Sequence, residues 1–120
     1  MRPILPAEKI HPNALNIIEN NHLDIINEVK SAVTEHNIVI VGMAQNPAPK
    51  RARRVLDDLD IKYCYLEYGS YFKQWRRRNA LKMWAGWPTF PMIFVKGTLI
   101  GGSSDMRALI NSGEFNKLEF

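Results

Sequence analysis

The chain has 120 residues, 46% hydrophobic and 23% charged, with seven Gly, seven Pro and one Cys. That is the make-up of a single globular domain, not of a disordered, collagenous or disulfide-built chain. Cys64, being alone, excludes an intramolecular disulfide, a CxxC redox pair and a Cys-based zinc site, and a net charge of +4 favours anionic ligands without singling out nucleic acid.

Residues 1–22 carry Pro3, Pro6 and Pro12 with no sustained apolar period, and read as an extended arm with a short helical turn through Ala14 to Glu19. From Leu23 to Glu35, Ile26, Val29, Ala32 and Val33 recur at spacings of three and four, the stripe of an amphipathic helix. Ile38 to Val41 is an unbroken β-branched run closed by Gly42, which predicts a strand buried on both faces. Asn46 followed by Pro47 suits a helix cap with Pro at the first helical position, and Ala52, Val55, Leu56 and Leu59 continue that helix. Ile61 to Glu67 predicts a second strand, set parallel to the first by a right-handed crossover.

A third helix is predicted over Ser70 to Trp84, with Phe72, Trp75, Leu81 and Trp84 on its apolar side and Gly86 as its stop. Met92 to Val95, a Lys96-Gly97 turn and Thr98 to Ile100 predict a hairpin. Gly101-Gly102-Ser103-Ser104 opens a last helix that Gly113 ends, with a brief turn holding Phe115 and Leu118 beyond it. The order predicts an α/β sandwich: a four-stranded mixed sheet flanked by helices, with residues 1–22 as an arm and 23–120 as the domain.

The string Trp87-Pro88-Thr89-Phe90-Pro91, the hairpin after it and the Gly101-Gly102 pair at a helix start resemble the glutaredoxin family. The resemblance covers about Leu23 to Leu118 and implies a thioredoxin-like fold. Trp87-Pro88-Thr89 and Gly113-Glu114-Phe115 look closest to the monothiol branch, whereas the short stretch between the first strand and the next helix is that of dithiol members, so the branch stays open.

Counting back from Lys50 to Leu56, the family's redox motif falls on Asn46-Pro47-Ala48-Pro49, where neither cysteine is present. A carboxamide does not ionise near neutral pH and cannot act as thiolate toward a disulfide or an iron–sulfur cluster. Pro47 and Pro49 lack backbone N–H groups, and Met43 stands where the family usually has Lys. Asn46-Pro47 reads equally as nothing more than a good helix cap, and Cys64 as a small buried hydrophobe within its strand.

The resemblance further implies a glutathione groove. Phe90-Pro91 matches the dipeptide whose cis proline leaves the preceding backbone free to pair with an extended peptide. Arg78 aligns with the arginine that meets the glycyl carboxylate, though beside Arg76 and Arg77 it also reads as a solvated helix charge. Gly102, Ser103, Ser104 and Asp105 match the helix start that holds the γ-glutamyl end, with the acid one position later than is common. Ser104 reads alternatively as an N-cap and Asp105 as a first-turn acid that favours the helix dipole.

Lys50, Arg51, Arg53 and Arg54 are expected on a solvated helix face, with Arg53–Asp57 and Arg54–Asp58 spaced for local pairing. A single-strand nucleic-acid reader is not expected, because Trp75 and Trp84 fall on the apolar stripe. The expectation is a redox-inactive, glutaredoxin-like protein that binds glutathione weakly, or a thiol peptide or protein partner, and holds no iron–sulfur cluster. The alternative is a glutathione-dependent thiol–disulfide oxidoreductase with an atypical site. With no apolar run long enough for a signal segment or a membrane span, a cytoplasmic location without membrane partners is expected.

Overall fold

The run Ile38-Val39-Ile40-Val41 has no polar face, and the strand it forms, β1 (Ile38–Gly42), is buried along its whole length. A computed structural model, which describes residues 1–118, places it inside a four-stranded sheet of order β2-β1-β3-β4. Residues 119–120 of the expected domain lie outside the described residues. β2 (Cys64–Glu67) pairs with β1 in parallel from Val39↔Cys64 to Gly42↔Glu67. β3 (Met92–Val95) runs antiparallel to β1, and β4 (Thr98–Gly101) antiparallel to β3.

Among the helices, α1 (Pro12–Asn20) and α2 (Leu23–Glu35) precede β1, α3 (Pro47–Asp58) links β1 to β2, α4 (Trp75–Ala85) links β2 to β3, and α5 (Ser103–Ser112) follows β4. Ile25 and Val29 of α2 and Leu81 of α4 pack with Val41 and Phe94 on one face of the sheet. Leu56 of α3, Met106 of α5 and Phe115 pack with Ile40 and Ile93 on the other. Alternate residues of β1 thus feed opposite cores, as the period of a central strand requires. None of the helices among the described residues is long and apolar enough to cross a membrane.

The structure corrects several element boundaries. Part of the arm is a full nine-residue helix, α1, because Pro12 presets the first turn and His11 Nδ1 accepts a hydrogen bond from the Asn13 N–H at 3.1 Å. The arm is tied to the domain where Arg2 Nη1 donates to the Ala85 carbonyl at 3.0 Å. In α2 the most deeply buried positions are Ile25 and Val29, with Ile26 and Val33 only partly covered. β2 starts at Cys64 instead of Ile61: the parallel register opens at Val39↔Cys64, one residue into β1, which leaves too little of β1 upstream to pair Ile61 and Lys62.

The largest correction concerns α4, which starts at Trp75, not Ser70. Ser70 and Lys73 instead exchange backbone hydrogen bonds at 3.2 Å each, closing a tight turn with Tyr71 and Phe72 at its tip. Gly69 has φ +68°, and a Cβ there would lie 2.3 Å from the Lys73 carbonyl oxygen, so this turn needs glycine at its base.

Candidate ligand-binding site at the first turn of α3

The parallel β1 strand ends at Gly42 and delivers the chain to the first turn of α3, where an approaching ligand would meet whatever the helix leaves unsatisfied. Gly42 lets that turn and the Tyr65 ring pack directly on the strand, since a Cβ on it would lie 2.8 Å from the Pro49 Cβ and 2.9 Å from the Tyr65 ring. Asn46 caps the helix: its Oδ1 accepts from the Ala48 N–H at 3.0 Å. Pro47 and Pro49 supply no N–H. Of the first three helical positions only Ala48 carries a donor, and Asn46 already holds it.

The other end of the same carboxamide reaches across the sheet. Asn46 Nδ2 donates to the Phe90 carbonyl at 3.4 Å, and the Phe90–Pro91 peptide bond is cis. Asn46, Phe90 and Pro91 are therefore brought together, and the carbonyl before Pro91 already has a partner within the chain. Gly102 joins them, its Cβ position lying 3.5 Å from the Pro91 carbonyl oxygen and 3.7 Å from Trp87 Nε1. Trp87 itself is partly covered, with its indole N–H buried and, among the described residues, without an acceptor.

The remaining expected site residues lie otherwise. The N-cap of α5 is Gly102, not Ser104, and its N–H donates to Asp105 Oδ2 at 2.9 Å. Ser103 is half-buried and Ser104 exposed at the start of the helix. Arg78 is no solvated charge: at 6% exposure it is buried, and its Nη1 donates to the Tyr68 carbonyl at 3.0 Å and the Lys73 carbonyl at 2.6 Å. Burial lowers its pKa from the ordinary arginine value.

A groove of about 390 Å³ opens beside Asn46 and Pro47, walled by Lys50, Arg53, Tyr65 and Glu67. Arg53 is only partly exposed, its guanidinium carbon 4.2 Å from the Tyr65 ring centroid, a cation–π contact that fixes the charge at the groove wall. Tyr65 donates to Glu67 Oε1 at 2.9 Å, and burial, then that bond, push its pKa up to about 12. Asp57 accepts from Tyr63 at 2.9 Å, and among the described residues neither Arg53–Asp57 nor Arg54–Asp58 forms an ion pair. Tyr65 and Glu67 escape a sequence reading because only the β1–β2 register sets them beside the turn; Arg53 shows itself solely as one member of a basic run.

Cys64 stands away from this site. It pairs with Val39, three registers from the Gly42–Glu67 pair beside the groove, and packs into the α2 and α4 core. At about 3.3 Å per residue the separation along the strand is about 10 Å. Burial, then the charge of Glu35, raise its thiol pKa, so the thiolate is disfavoured.

The glutaredoxin family model matches residues 38–100, the span from β1 into β4. A glutaredoxin-like protein of Dictyostelium discoideum is 46% identical over 108 residues, covering 89% of this chain and 88% of that protein. The chain belongs to the glutaredoxin family. Among solved structures, oxidized glutaredoxin 2 from Chlamydomonas reinhardtii superposes with a TM-score of 0.70 at 24% identity, covering 82% of this chain and 92% of that one. A buckwheat glutaredoxin–glutathione complex gives 0.70 at 18% identity, covering 83% and 91%. These similarities show the thioredoxin-like glutaredoxin fold expected from the sequence.

Proposed function

We propose that this glutaredoxin-like protein is a binding protein without thiol redox chemistry, taking glutathione, a related thiol peptide or a protein partner at the end of β1. The observation that carries the reading is the double engagement of Asn46. A group that cannot ionise occupies the first turn of α3, satisfies its one available early donor, and holds the carbonyl before Pro91. A nucleophilic thiolate needs the opposite: sulfur, free N–H groups and an undispersed helix dipole. The carboxamide and two prolines offer no thiolate ligand for an iron–sulfur cluster.

Support for a retained ligand comes from the groove. Lys50 and Arg53 supply cations for a ligand carboxylate, and Glu67 an acceptor for its ammonium group. Glutathione carries both. Because Arg78 braces backbone carbonyls, replacing it tests stability more than binding, and the groove cations are the better probes.

Calorimetry with glutathione on the wild type and on Arg53→Gln tests the reading. The expected result is weak heat from the wild type and an affinity about tenfold or more lower in the variant, the loss of one charge-assisted hydrogen bond. No heat from a folded wild type removes glutathione as the ligand. Equal affinity in both proteins places it elsewhere.

A further inference from the structure

Between Glu67 and Asp105 the chain contains no acidic residue, while Lys73, Arg76, Arg77, Arg78, Lys82 and Lys96 fall in that span. Inside it the turn at Ser70–Lys73 and the start of α4 leave three aromatic rings open to solvent: Tyr71 at 54%, Phe72 at 90% and Trp75 at 49% exposure. A folded chain that buries aromatics elsewhere has reason to hide these, and exposed rings clustered within five residues mark an interaction surface.

The surface is built, not loose. The buried Arg78 grips both ends of the turn through the Tyr68 and Lys73 carbonyls, and Gly69 allows the tight return. The Gly69 carbonyl also accepts from the Ala44 N–H at 2.7 Å, tying the turn to the loop that leads into α3. Arg76 lies 5.0 Å from the Trp75 ring centroid, so the guanidinium backs the half-exposed ring. Arg77 is spent on Asp24 of α2 at 2.9 Å. Among the described residues Lys73, Arg76 and Lys82 have no ion pair; Lys73 and Arg76 are exposed, whereas Lys82 is half-buried two turns further along α4, its Nζ 5.8 Å from the Phe90 ring centroid.

We propose that this surface binds single-stranded nucleic acid, with bases stacking on Phe72, Tyr71 and Trp75 and phosphates meeting Lys73, Arg76 and Lys82. Aromatic faces interleaved with unpaired cations are what a sequence-tolerant single-strand site requires, and the overall pI of 9.4 agrees in sign. The structure corrects half of the sequence argument against such a role: Trp84 does pack against the core, but Trp75 lies outside it and in the open. A protruding, preset turn offers ring faces but no cleft for an acidic peptide. Only Phe72 projects fully, whereas insertion into a lipid surface calls for a broader apolar face.

The test titrates the full chain against labelled oligo(dT) and oligo(U) of about twenty nucleotides, from about 0.05 to 0.2 M salt, with a duplex of equal length as control. Binding is expected to favour the single strand, with a log–log salt slope of about −2 for three phosphate contacts. Phe72→Ala and Trp75→Ala should each weaken binding about tenfold with the slope unchanged. Lys73→Gln with Arg76→Gln should flatten the slope by roughly two-thirds. These positions are exposed, and unchanged thermal melts show that the variants fold. Absence of binding at the lowest salt overturns the proposal. Equal binding of duplex, or indifference to the ring substitutions, reduces the site to plain charge and also overturns it. Ring-dependent binding to phosphatidylserine vesicles without oligonucleotide binding assigns the surface to lipid and overturns it as well.

Discussion

At the scale of single residues, the behaviour of the motif turn is set by which atoms at the first turn of α3 remain free. Substituting Asn46→Cys returns sulfur to the turn but meets only one early donor, the Ala48 N–H, because Pro47 and Pro49 stay. One charge-assisted hydrogen bond is worth about 1.5–3 kcal/mol, or about one to two pKa units. The new thiol should therefore titrate within about two units of an ordinary cysteine, read from the pH dependence of its alkylation. A pKa near the strongly depressed values of reactive cysteines, about 3.5, would contradict the count of missing donors.

Arg78 makes a second residue-scale case. Removing its side chain strands the Tyr68 and Lys73 carbonyls, and Arg78→Ala is expected to cost about 2–4 kcal/mol in chemical denaturation. A loss below about 0.5 kcal/mol, the usual scale of a surface change, would return it to a solvated role. The cap role of Asn46 was legible because Asn followed by Pro is a local signal. Its reach to Phe90, 44 residues away, was not, since only the β1–β3 pairing makes the two neighbours. Nor could three consecutive arginines reveal which one turns inward.

Among the elements, legibility follows the strength of the local pattern. β1 and the β3–β4 hairpin are strongly marked runs with a glycine at the stop or turn, and the structure has them within a residue of the expected bounds. The start of α4 failed because Tyr71, Phe72 and Lys73 tolerate a helix well enough. What forbids it is the left-handed backbone at Gly69 and Gln74, together with the Arg78 brace. An arginine that acts from five residues downstream leaves no periodic signal.

The tyrosines in and flanking β2 give an element-scale prediction for pH. Burial first, and then the bond to Glu67, raise Tyr65 from 10.0 to about 12; burial likewise raises Tyr63 and Tyr68. The folded chain thus holds these protons more tightly than the unfolded one. Their stabilisation is complete below about pH 10 and drains as pH rises toward about 12. Thermal melts should therefore fall steadily across that interval, and Tyr65→Phe should fall less steeply. A flat profile in the wild type would count against the buried phenols.

For the whole molecule, two cores on opposite faces of one sheet hold the end of β1, the cis peptide and the start of α5 together within the glutaredoxin fold. Within that frame the intramolecular partners of Asn46, Arg78 and Asp105 occupy groups that the family resemblance assigns to ligand. The Lys50 and Arg53 groove and the Phe72 turn are what the surface offers in return. The measurement that bears on this most directly is turnover of a mixed disulfide of glutathione and a small thiol, with excess glutathione, by the wild type and by Cys64→Ser. Both proteins should match the uncatalysed rate. Catalysis by the wild type that disappears in Cys64→Ser would show that the sulfur in β2, not the carboxamide at α3, governs this protein's chemistry.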